Sequence, residues 1–511
     1  MEDRVGSRHV GVMWQALFDP FRHQGDGLSL QERVRQMLVA AILDGLLPPL
    51  AFLPSTRELS QALGVSRNTV IIVYQRLCDE GYLVPRAREG YFVAAEIPSA
   101  HWPDVRHQAS PTAAAVVPDD RDRRPDWSRR LRLPPSAQRN IQKRTDWRRY
   151  PYPFLYGQFD AGSFPMADWR HCCLRTLSAL EVNEWGHDMF LKDDPLLIRQ
   201  VKTRLLPQRG IQAGEENILM TVGSQHGLYL LADLLMDRQS RVAIEEPGYP
   251  DARNIFLRRR ATLVGVPVDR DGMMLDAALQ DCDYVHVTPS HQCPTTVTMP
   301  IERRLALLDA AVRHDFVMIE DDYESENNWQ GEPMPALKSL DRHDRVIYLG
   351  SFSKSFAPGL RLGYVVGPEP LIAELRAMRR LNLRHPNTFM QRSLAMFLAM
   401  GHYHRLQRRL SDVHAERAET LMQAMVRHLP AFQVVPSKGG SAVWVSGPPG
   451  FDAGRLAREA EQAGVLIEAG DVFFRAAPQP CPHFRLGFTS IQAREIEPGI
   501  RQLADVVRSL G

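Results

Sequence analysis

The chain has 511 residues, which is too long for one hydrophobic core and predicts two to four domains. Hydrophobic residues make up 44% and the net charge is +2, as is typical of a soluble globular protein. The N-terminus lacks the apolar core of a signal peptide and no apolar run approaches about 18 residues, so we expect no membrane span. The six cysteines show no CxxC or zinc-binding spacing, which predicts a reducing, cytoplasmic setting and no metal site.

Three regions differ in composition. Residues 27–95 have a compact, helix-rich pattern. Residues 96–151 are rich in Pro, Ala and Arg, with eleven Lys or Arg against five Asp between Asp119 and Arg149, and predict a basic linker. A solvated tether is favoured there over a nucleic-acid-binding arm. In residues 152–511, short β-branched runs alternate with helical patterns, which predicts an α/β domain with a mainly parallel sheet.

The first region contains a candidate DNA-binding motif, LPSTRELSQALGVSRNTVIIVYQRLCDEGYLVPRAREGYFVA, at residues 53–94. Its apolar spacing predicts two helices joined by a turn at Gly64, which is the pattern of a helix-turn-helix. The second helix begins after Ser66, a good N-cap, and we expect its first residues to be exposed to base edges and phosphates. The predicted DNA contacts are Arg57, Ser66, Arg67, Asn68 and Thr69.

The residues YLVPRAREGYFV that follow Gly81 predict a two-stranded wing with Arg86 and Arg88 at its tip. Arg57, on the helix before the turn, suits a phosphate contact that fixes register rather than sequence. The alternative is a helical hairpin that serves only for protein contacts.

A second group of functional residues surrounds Lys354 in YLGSFSKSFAPGLRLGYVV, residues 348–366. The stretch TVGSQHGLYLLADLL begins a helix whose free N–H groups favour an anion. Two further stretches, MIEDDYESE and EEPGYP, place a carboxylate, a phenol and an aromatic ring at the carboxyl ends of strands, where open α/β sheets bind ligands. The residues concerned are Gly223, Ser224, Gln225, Tyr249, Asp321, Tyr323, Ser351, Ser353, Lys354 and Arg361.

A lysine, a phosphate cradle, a carboxylate, a phenol and a stacking ring together indicate pyridoxal 5′-phosphate. Its aldehyde forms a Schiff base with a lysine, and its pyridine nitrogen needs an acidic partner. Each feature alone is weak, because a lone lysine after serine is most often a surface residue. Five features in this chain order predict a cofactor site.

Residues 53–84 resemble the winged helix of GntR-type regulators, and the chain from about Ala161 onward resembles fold-type I aminotransferases. Together they resemble the MocR-type subfamily of GntR regulators. The resemblance implies an α/β fold with a smaller C-terminal α+β subdomain, a homodimer, and a winged helix that could pack on the partner subunit.

The resemblance also implies roles for individual residues. Lys354 is the Schiff-base lysine, Asp321 and Tyr323 bind the pyridine nitrogen and the 3′-oxygen, and Tyr249 stacks on the ring. The phosphate lies among the serines, Gln225 and Arg361. Arg485, in HFRLGFTSI, binds the carboxylate of an effector, although a structural arginine is an alternative.

The chain departs from the family pattern at several places. In the wing, RAREG replaces the usual Gly-x-Gly of the minor-groove contact, and YESENNW lacks the aromatic residue and the arginine that usually follow its Glu. Leu50 stands where a glycine usually precedes the LPS motif. In HQCPTTVTM, Cys293 and Thr296 replace the asparagine and glycine of many aminotransferases, and this stretch fits the regulators better than the enzymes. Asp194 replaces a glycine before the IRQ helix, and we expect it near the pocket entrance.

Three functions compete. The first is a transcriptional regulator that binds operator DNA and senses an amine, an amino acid or pyridoxal phosphate itself, with external aldimine formation as the signal. The second is an active aminotransferase with an appended DNA-binding domain. The third is a DNA-binding protein whose large domain only dimerises. The winged helix favours the first, because a metabolic enzyme has no use for it.

Overall fold

The computed structural model describes residues 14–19, 21, 28–87, 89–96, 125–131, 134–158, 160–329, 334–435 and 438–510. Two compact units divide the chain, residues 1–126 and 127–511. Arg88 and residues 97–124 of the predicted linker lie outside the described residues. The second unit begins at Trp127, within the range that we predicted as linker.

The first unit contains three helices and a hairpin within residues 28–96. Its elements are α1 (Leu30–Leu43), α2 (Thr56–Leu63), α3 (Arg67–Asp79), β1 (Leu83–Arg86) and β2 (Gly90–Val93). The strands pair antiparallel, with Leu83 opposite Val93. The apolar faces of the helices meet in one core, which includes Leu59 and Tyr74. This arrangement confirms the predicted helix-turn-helix and wing.

The second unit is built on an eight-stranded sheet in the order β4-β11-β10-β9-β8-β5-β6-β7. Its strands are β4 (Ile218–Thr221), β5 (Arg241–Glu246), β6 (Thr262–Asp269), β7 (Gly272–Met273), β8 (Tyr284–Val287), β9 (Val317–Asp322), β10 (Val346–Ser351) and β11 (Gly363–Val366). The five strands from β10 to β6 are parallel to one another. β11 runs antiparallel to both of its neighbours, and β7 runs antiparallel to β6. The sheet is therefore mainly parallel, as predicted.

Both faces of this sheet are buried, which explains why its strands are almost continuously apolar. In β10, Ile347 and Leu349 pack into one core, whereas Tyr348 between them packs into another. Helices cover the two faces. The longer helices of the unit are α4 (Met166–Thr176), α5 (Ser224–Leu235), α6 (Pro250–Arg258), α7 (Ile301–His314), α8 (Glu369–Leu383), α9 (Thr388–Ala399), α10 (His402–His428), α11 (Ala453–Gln462) and α12 (Ala493–Leu510).

The C-terminal part forms a smaller α+β subdomain, as predicted. Its antiparallel sheet has the order β12 (Gln433–Val434), β13 (Ala442–Ser446), β16 (His483–Gly487), β15 (Glu468–Ala469). A parallel pair, β3 (Tyr152–Pro153) with β14 (Val465–Leu466), joins residues before the large sheet to this subdomain. Among the described helices, none is long and apolar enough to cross a membrane.

Candidate functional site

The turn between α2 and α3 presents the start of α3 on the surface of the first unit. Gly64 ends α2 in the left-handed conformation, with φ of 69°. Ser66 is the N-cap of α3, as predicted, because its Oγ accepts a hydrogen bond from the backbone N–H of Thr69 at 3.1 Å. Arg67, Asn68 and, on α2, Arg57 are exposed. Nε of Arg67 lies 3.4 Å from Oγ1 of Thr56 on α2, so this side chain bridges the two helices at the surface.

Thr69 is placed differently from our expectation. Only 8% of its surface is exposed, and its Oγ1 lies 2.8 Å from Oγ of Ser66. The prediction that Thr69 is exposed beside Arg67 and Asn68 is therefore wrong. Thr69, the third residue of α3, lies on the face that this helix buries, and its hydroxyl is satisfied within the cap.

One cavity of the second unit lies where the carboxyl ends of β5, β9 and β10 meet. These strands are parallel, so the residues that follow them share one edge of the sheet. The cavity brings together all the predicted cofactor contacts except Gly223, and Arg485 also lines it. Its lining is Ile141, Tyr156, Ser224, Gln225, Tyr249, Cys293, Asp321, Tyr323, Ser351, Ser353, Lys354, Pro358, Arg361 and Arg485.

Lys354 is half-buried, and its amine faces the ring of Tyr156, with Nζ 4.1 Å from the ring centroid. A Cβ atom at Gly157 would overlap Nζ of Lys354, so the glycine leaves the space that this amine occupies. Burial and, next in size, the positive charge of Lys143 together lower the pKa of Lys354 to about 7. Near neutral pH, the amine of Lys354 is therefore neutral and nucleophilic in a large fraction of the protein molecules.

Asp321 offers a carboxylate without a protein partner for one of its oxygens. It is 3% exposed, and its Oδ1 accepts no hydrogen bond from any residue that the structure describes. Nε2 of His286 lies 3.8 Å from the other oxygen, Oδ2. A buried carboxylate oxygen without a donor is costly, so this site suits a bound N–H group.

The two predicted aromatic contacts are also at the cavity. The hydroxyl of Tyr323 donates to the backbone oxygen of His291 at 2.8 Å, and burial raises the pKa of Tyr323 well above its usual value. The hydroxyl of Tyr249 donates to Asp251 at 3.1 Å. Both phenols remain protonated at neutral pH, and each keeps a lone pair that can accept a hydrogen bond.

A cradle for an anion lies at the start of α5. The N-cap residue Gly223, with φ of 80°, provides no side chain, so no cap side chain occupies the helix end. A Cβ atom there would lie 2.9 Å from Nη2 of Arg361. Arg361 also lies 3.5 Å from Oγ of Ser353. Free helix N–H groups, a guanidinium and hydroxyls are the donors that a phosphate needs.

These observations fit pyridoxal phosphate. The unpartnered oxygen of Asp321, the cradle around Gly223 and the amine of Lys354 lie at one cavity, and each matches a different part of the cofactor.

Arg485 is buried and already engaged by an acid. Its Nε donates to Oε2 of Glu468 at 2.8 Å, and its guanidinium carbon lies 4.0 Å from the ring centroid of Tyr156. Its Nη2 has no hydrogen-bond acceptor among the described residues. Arg485 is therefore both a structural residue and a donor with capacity for one more anion.

Three residues that line this cavity, Ile141, Tyr156 and Pro358, were not predicted from the sequence, nor was Gly157, which lies against Nζ of Lys354. The resemblance to aminotransferases begins near Ala161, and residues up to 151 were predicted as linker. The apolar run PFLYG, which ends in a glycine, was the available signal for Tyr156 and Gly157. Ile141 has no comparable signal.

The departures from the family pattern fall in different places. Cys293 lines the cavity, and burial raises the pKa of its thiol to about 12. Thr296 has φ of 65° and Leu50 has φ of 65°, so both replace a glycine in the conformation that favours glycine. Asp194 is not at the cavity. It caps the helix that begins at Pro195 and pairs with Arg392 at 2.7 Å, so the prediction that it lies near the entrance is wrong.

Comparisons with known proteins identify the DNA-binding unit and the aminotransferase-like unit separately. Residues 194–503 match the family model "Aminotransferase class I and II", and residues 30–93 match "Bacterial regulatory proteins, gntR family". The kynurenine aminotransferase of Pyrococcus horikoshii has the same fold, with a TM-score of 0.67 and 24% identity over 78% of this chain and 99% of that one. The α-aminoadipate aminotransferase LysN of Thermus thermophilus gives a TM-score of 0.66 with 25% identity, over 76% and 99%.

Two relatives carry both parts along nearly their whole length. The HTH-type transcriptional regulator TauR of Rhodobacter capsulatus is 40% identical over 481 residues, which cover 94% of this chain and 97% of TauR. The protein named "Probable rhizopine catabolism regulatory protein MocR" of Rhizobium meliloti is 31% identical over 487 residues, 94% of each chain.

The fold and the site thus define a class of proteins in which a winged helix and an aminotransferase-like unit share one chain. This chain belongs to the MocR-type subfamily of the GntR family of regulators.

Proposed function

We propose that the protein is a pyridoxal phosphate-dependent transcriptional regulator that binds operator DNA and senses a small amine or amino acid. The observation that carries this proposal is the presence, in one chain, of an exposed recognition helix and a cavity that joins Lys354 to Asp321 and Arg361. A protein that only scaffolds a dimer needs no such cavity. Relatives that share both units are named as transcriptional regulators.

Different residues of the cavity would bind different parts of the cofactor. Lys354 would carry the cofactor covalently, Asp321 would hold a proton at the pyridine nitrogen, and Tyr323 would contact the 3′-oxygen. Tyr249 would lie on the ring. The phosphate would lie among Gly223, Ser224, Gln225, Ser351, Ser353 and Arg361. When bound, pyridoxal phosphate supplies an aldehyde carbon at which one amine can replace another.

Sensing then depends on what this chain does with the incoming amine. Arg485 provides Nη2 for an acidic group, while the low pKa of Lys354 makes that lysine easily exchanged. The free energy for switching is the difference in the effector's affinity for two arrangements of the protein. We propose that the protein works as a homodimer in the cytoplasm.

An aminotransferase with an attached DNA-binding domain is the alternative. The fold is that of an aminotransferase, so a half-reaction is compatible with it. Cys293 at the cavity, in place of the asparagine of many such enzymes, favours slow or absent turnover. An asparagine can donate a hydrogen bond to an oxygen of the cofactor, and a thiol with a pKa of about 12 is a weak donor.

The test is to screen amino acids by the change that they cause in cofactor absorbance, and to measure turnover and DNA affinity with each hit in parallel. A DNA fragment from the region upstream of the protein's own gene serves as the probe. We expect a hit to change DNA affinity with little turnover. Fast multiple turnover with unchanged DNA affinity would support the enzyme instead.

A further inference from the structure

A segment that we name the strap, residues 134–150, packs on the second unit before β3 begins. The side chain of Arg139 donates to the backbone oxygen of Asp471 at 2.8 Å and to its carboxylate at 2.9 Å. The side chain of Asn254 donates to the backbone oxygen of Arg139 at 2.9 Å. Ile141, two residues further on, lines the cofactor cavity. The strap is therefore part of the wall of the site.

Lys143 extends from the strap toward the same region. Its Nζ donates to the backbone oxygen of Tyr156, lies 5.3 Å from the centroid of that ring and lies 3.8 Å from Oε1 of Glu468. Glu468 accepts from Arg485 through its other oxygen. Lys143 and Arg485 thus share one carboxylate, and both lie beside the ring that Lys354 faces.

Lys143 and Arg485 share one acid at ion-pair distance. Among the described residues, only Glu468 forms an ion pair with either of them. Glu324, a second buried carboxylate, interacts electrostatically with Arg485 but also with Lys354. Burial disfavours a cation with little counter-charge nearby. Burial lowers the pKa of the Lys143 amine, as expected for a cation that is short of counter-charge. An anion beside Nη2 of Arg485 would give this atom an acceptor and Lys143 a second negative partner.

The geometry points to Lys143 as a second cation of the effector site, which binds the acidic group of an amine effector together with Arg485. This inference rests on the proposed sensing function and adds a specificity residue to it. The flexible stem of a lysine allows its ammonium to leave Tyr156 for a bound anion, whereas Arg485 is fixed by Glu468. Because the strap follows the first unit in the chain, the effector would contact the segment that leads to the DNA-binding helices.

The test compares acids with amines that lack the acid in the full-length, cofactor-loaded protein. The probes are glycine with methylamine, and β-alanine with ethylamine, titrated by cofactor absorbance. The variants are Lys143→Met, which keeps the stem without the charge, and Lys143→Arg, which keeps a charge. Lys192→Met, an exposed lysine outside the cavity lining, is the control.

We expect the wild type to prefer each acid over its matched amine, and Lys143→Met to reduce this preference by about tenfold to a hundredfold. Lys143→Arg should keep most of it, and Lys192→Met all of it. Loss of strap packing would weaken acid and amine alike, so the ratio of their affinities reports the charge. An unchanged ratio in Lys143→Met, or no preference in the wild type, overturns the proposal.

DNA affinity with the same probes separates this inference from the proposed function. Suppose that Lys143→Met loses the preference for acids but the wild type binds DNA equally with and without β-alanine or glycine. The proposed role of Lys143 is then supported, and the proposal that the protein senses these acids is wrong. Suppose instead that an acid changes the DNA affinity of the wild type and Lys143→Met keeps the preference for acids. The proposed sensing function is then supported, and the proposed role of Lys143 is wrong.

Discussion

Gly157 and Lys354 share a space that holds only one side chain, because a Cβ atom at position 157 would overlap Nζ of the lysine. We therefore expect Gly157→Ala to push the amine out of the cavity and abolish cofactor attachment. The visible absorbance of the purified protein and trapping of the cofactor by borohydride measure this loss, and Lys354→Ala should lose both signals as well.

A matched control separates overlap from backbone strain. Gly157 has φ of 64°, so alanine is also strained there, whereas Gly450 has φ of 81° with nothing near its Cβ position. Gly450→Ala should keep the cofactor. If Gly157→Ala retains the absorbance, the amine does not need this space.

The low pKa of Lys354 predicts how cofactor attachment depends on pH. Below a pKa of about 7 the amine is an ammonium and cannot attack an aldehyde, and above it the amine is free. The rate at which stripped protein regains absorbance with added pyridoxal phosphate should therefore rise through about pH 7 and then level. An ordinary exposed lysine would require a pH near about 10.

Lys143→Met tests the cause of this shift. Burial lowers the pKa of Lys354 most, and the charge of Lys143 contributes next. The variant should therefore raise the pH midpoint of cofactor attachment part of the way toward that of an ordinary lysine. Lys192→Met should leave it in place. A wild-type midpoint near about pH 10 would contradict the buried, low-pKa amine.

The sequence predicted the parts of the site that follow from local pattern and sheet edge. Asp321, Tyr249 and Lys354 each come at or just after the end of a β-branched run, and parallel strands bring such residues to one edge. The order of the strands was not needed for this prediction.

Other features depend on packing that local pattern does not encode. Glu468 and Arg485 are opposite each other only through the register of β15 against β16, and β15 has two residues. The strap has the composition of a solvated tether, and nothing in it distinguishes Arg139, which binds Asp471, from the arginines around it. Tertiary contacts decide which basic residues fold onto an acidic partner.

Leu50 offers a test of strain in the first unit. Its φ of 65° is the left-handed conformation, its side chain is 55% exposed, and its N–H donates to Val93 at 3.1 Å. Leu50→Gly should relieve the backbone strain and raise the free energy of unfolding by about 1 kcal/mol. The greater conformational entropy of glycine in the unfolded chain offsets part of this gain. Hydrogen exchange of α1–α3 amides in the full chain measures this change.

Leu50→Ala is the control for the lost side chain. It removes the same exposed side-chain atoms beyond Cβ but keeps the strained backbone, so it should be less stable than Leu50→Gly. Equal or lower stability of the glycine variant would show that the left-handed conformation at position 50 costs little.

The exposed start of α3 predicts how the protein discriminates DNA sequences. Replacement of Arg67 or Asn68 by Ala should cost about 1–3 kcal/mol of operator binding if each contacts a base edge, and should relax specificity at one position. Arg57→Ala should instead weaken binding to all sequences. It should also reduce the slope of log affinity against log salt concentration by about 1, as the loss of one phosphate contact does. Binding of operator variants at several salt concentrations distinguishes the two effects.

Thr69 completes this test, since its burial gives it a role different from that of its neighbours. Its Oγ1 meets Oγ of Ser66 inside the cap, so Thr69→Val should lower the stability of α3 and leave the sequence preference of the remaining binding unchanged. If Thr69→Val alters which base is preferred while Arg67→Ala and Asn68→Ala leave operator binding intact, α3 does not meet the bases through its exposed first turn.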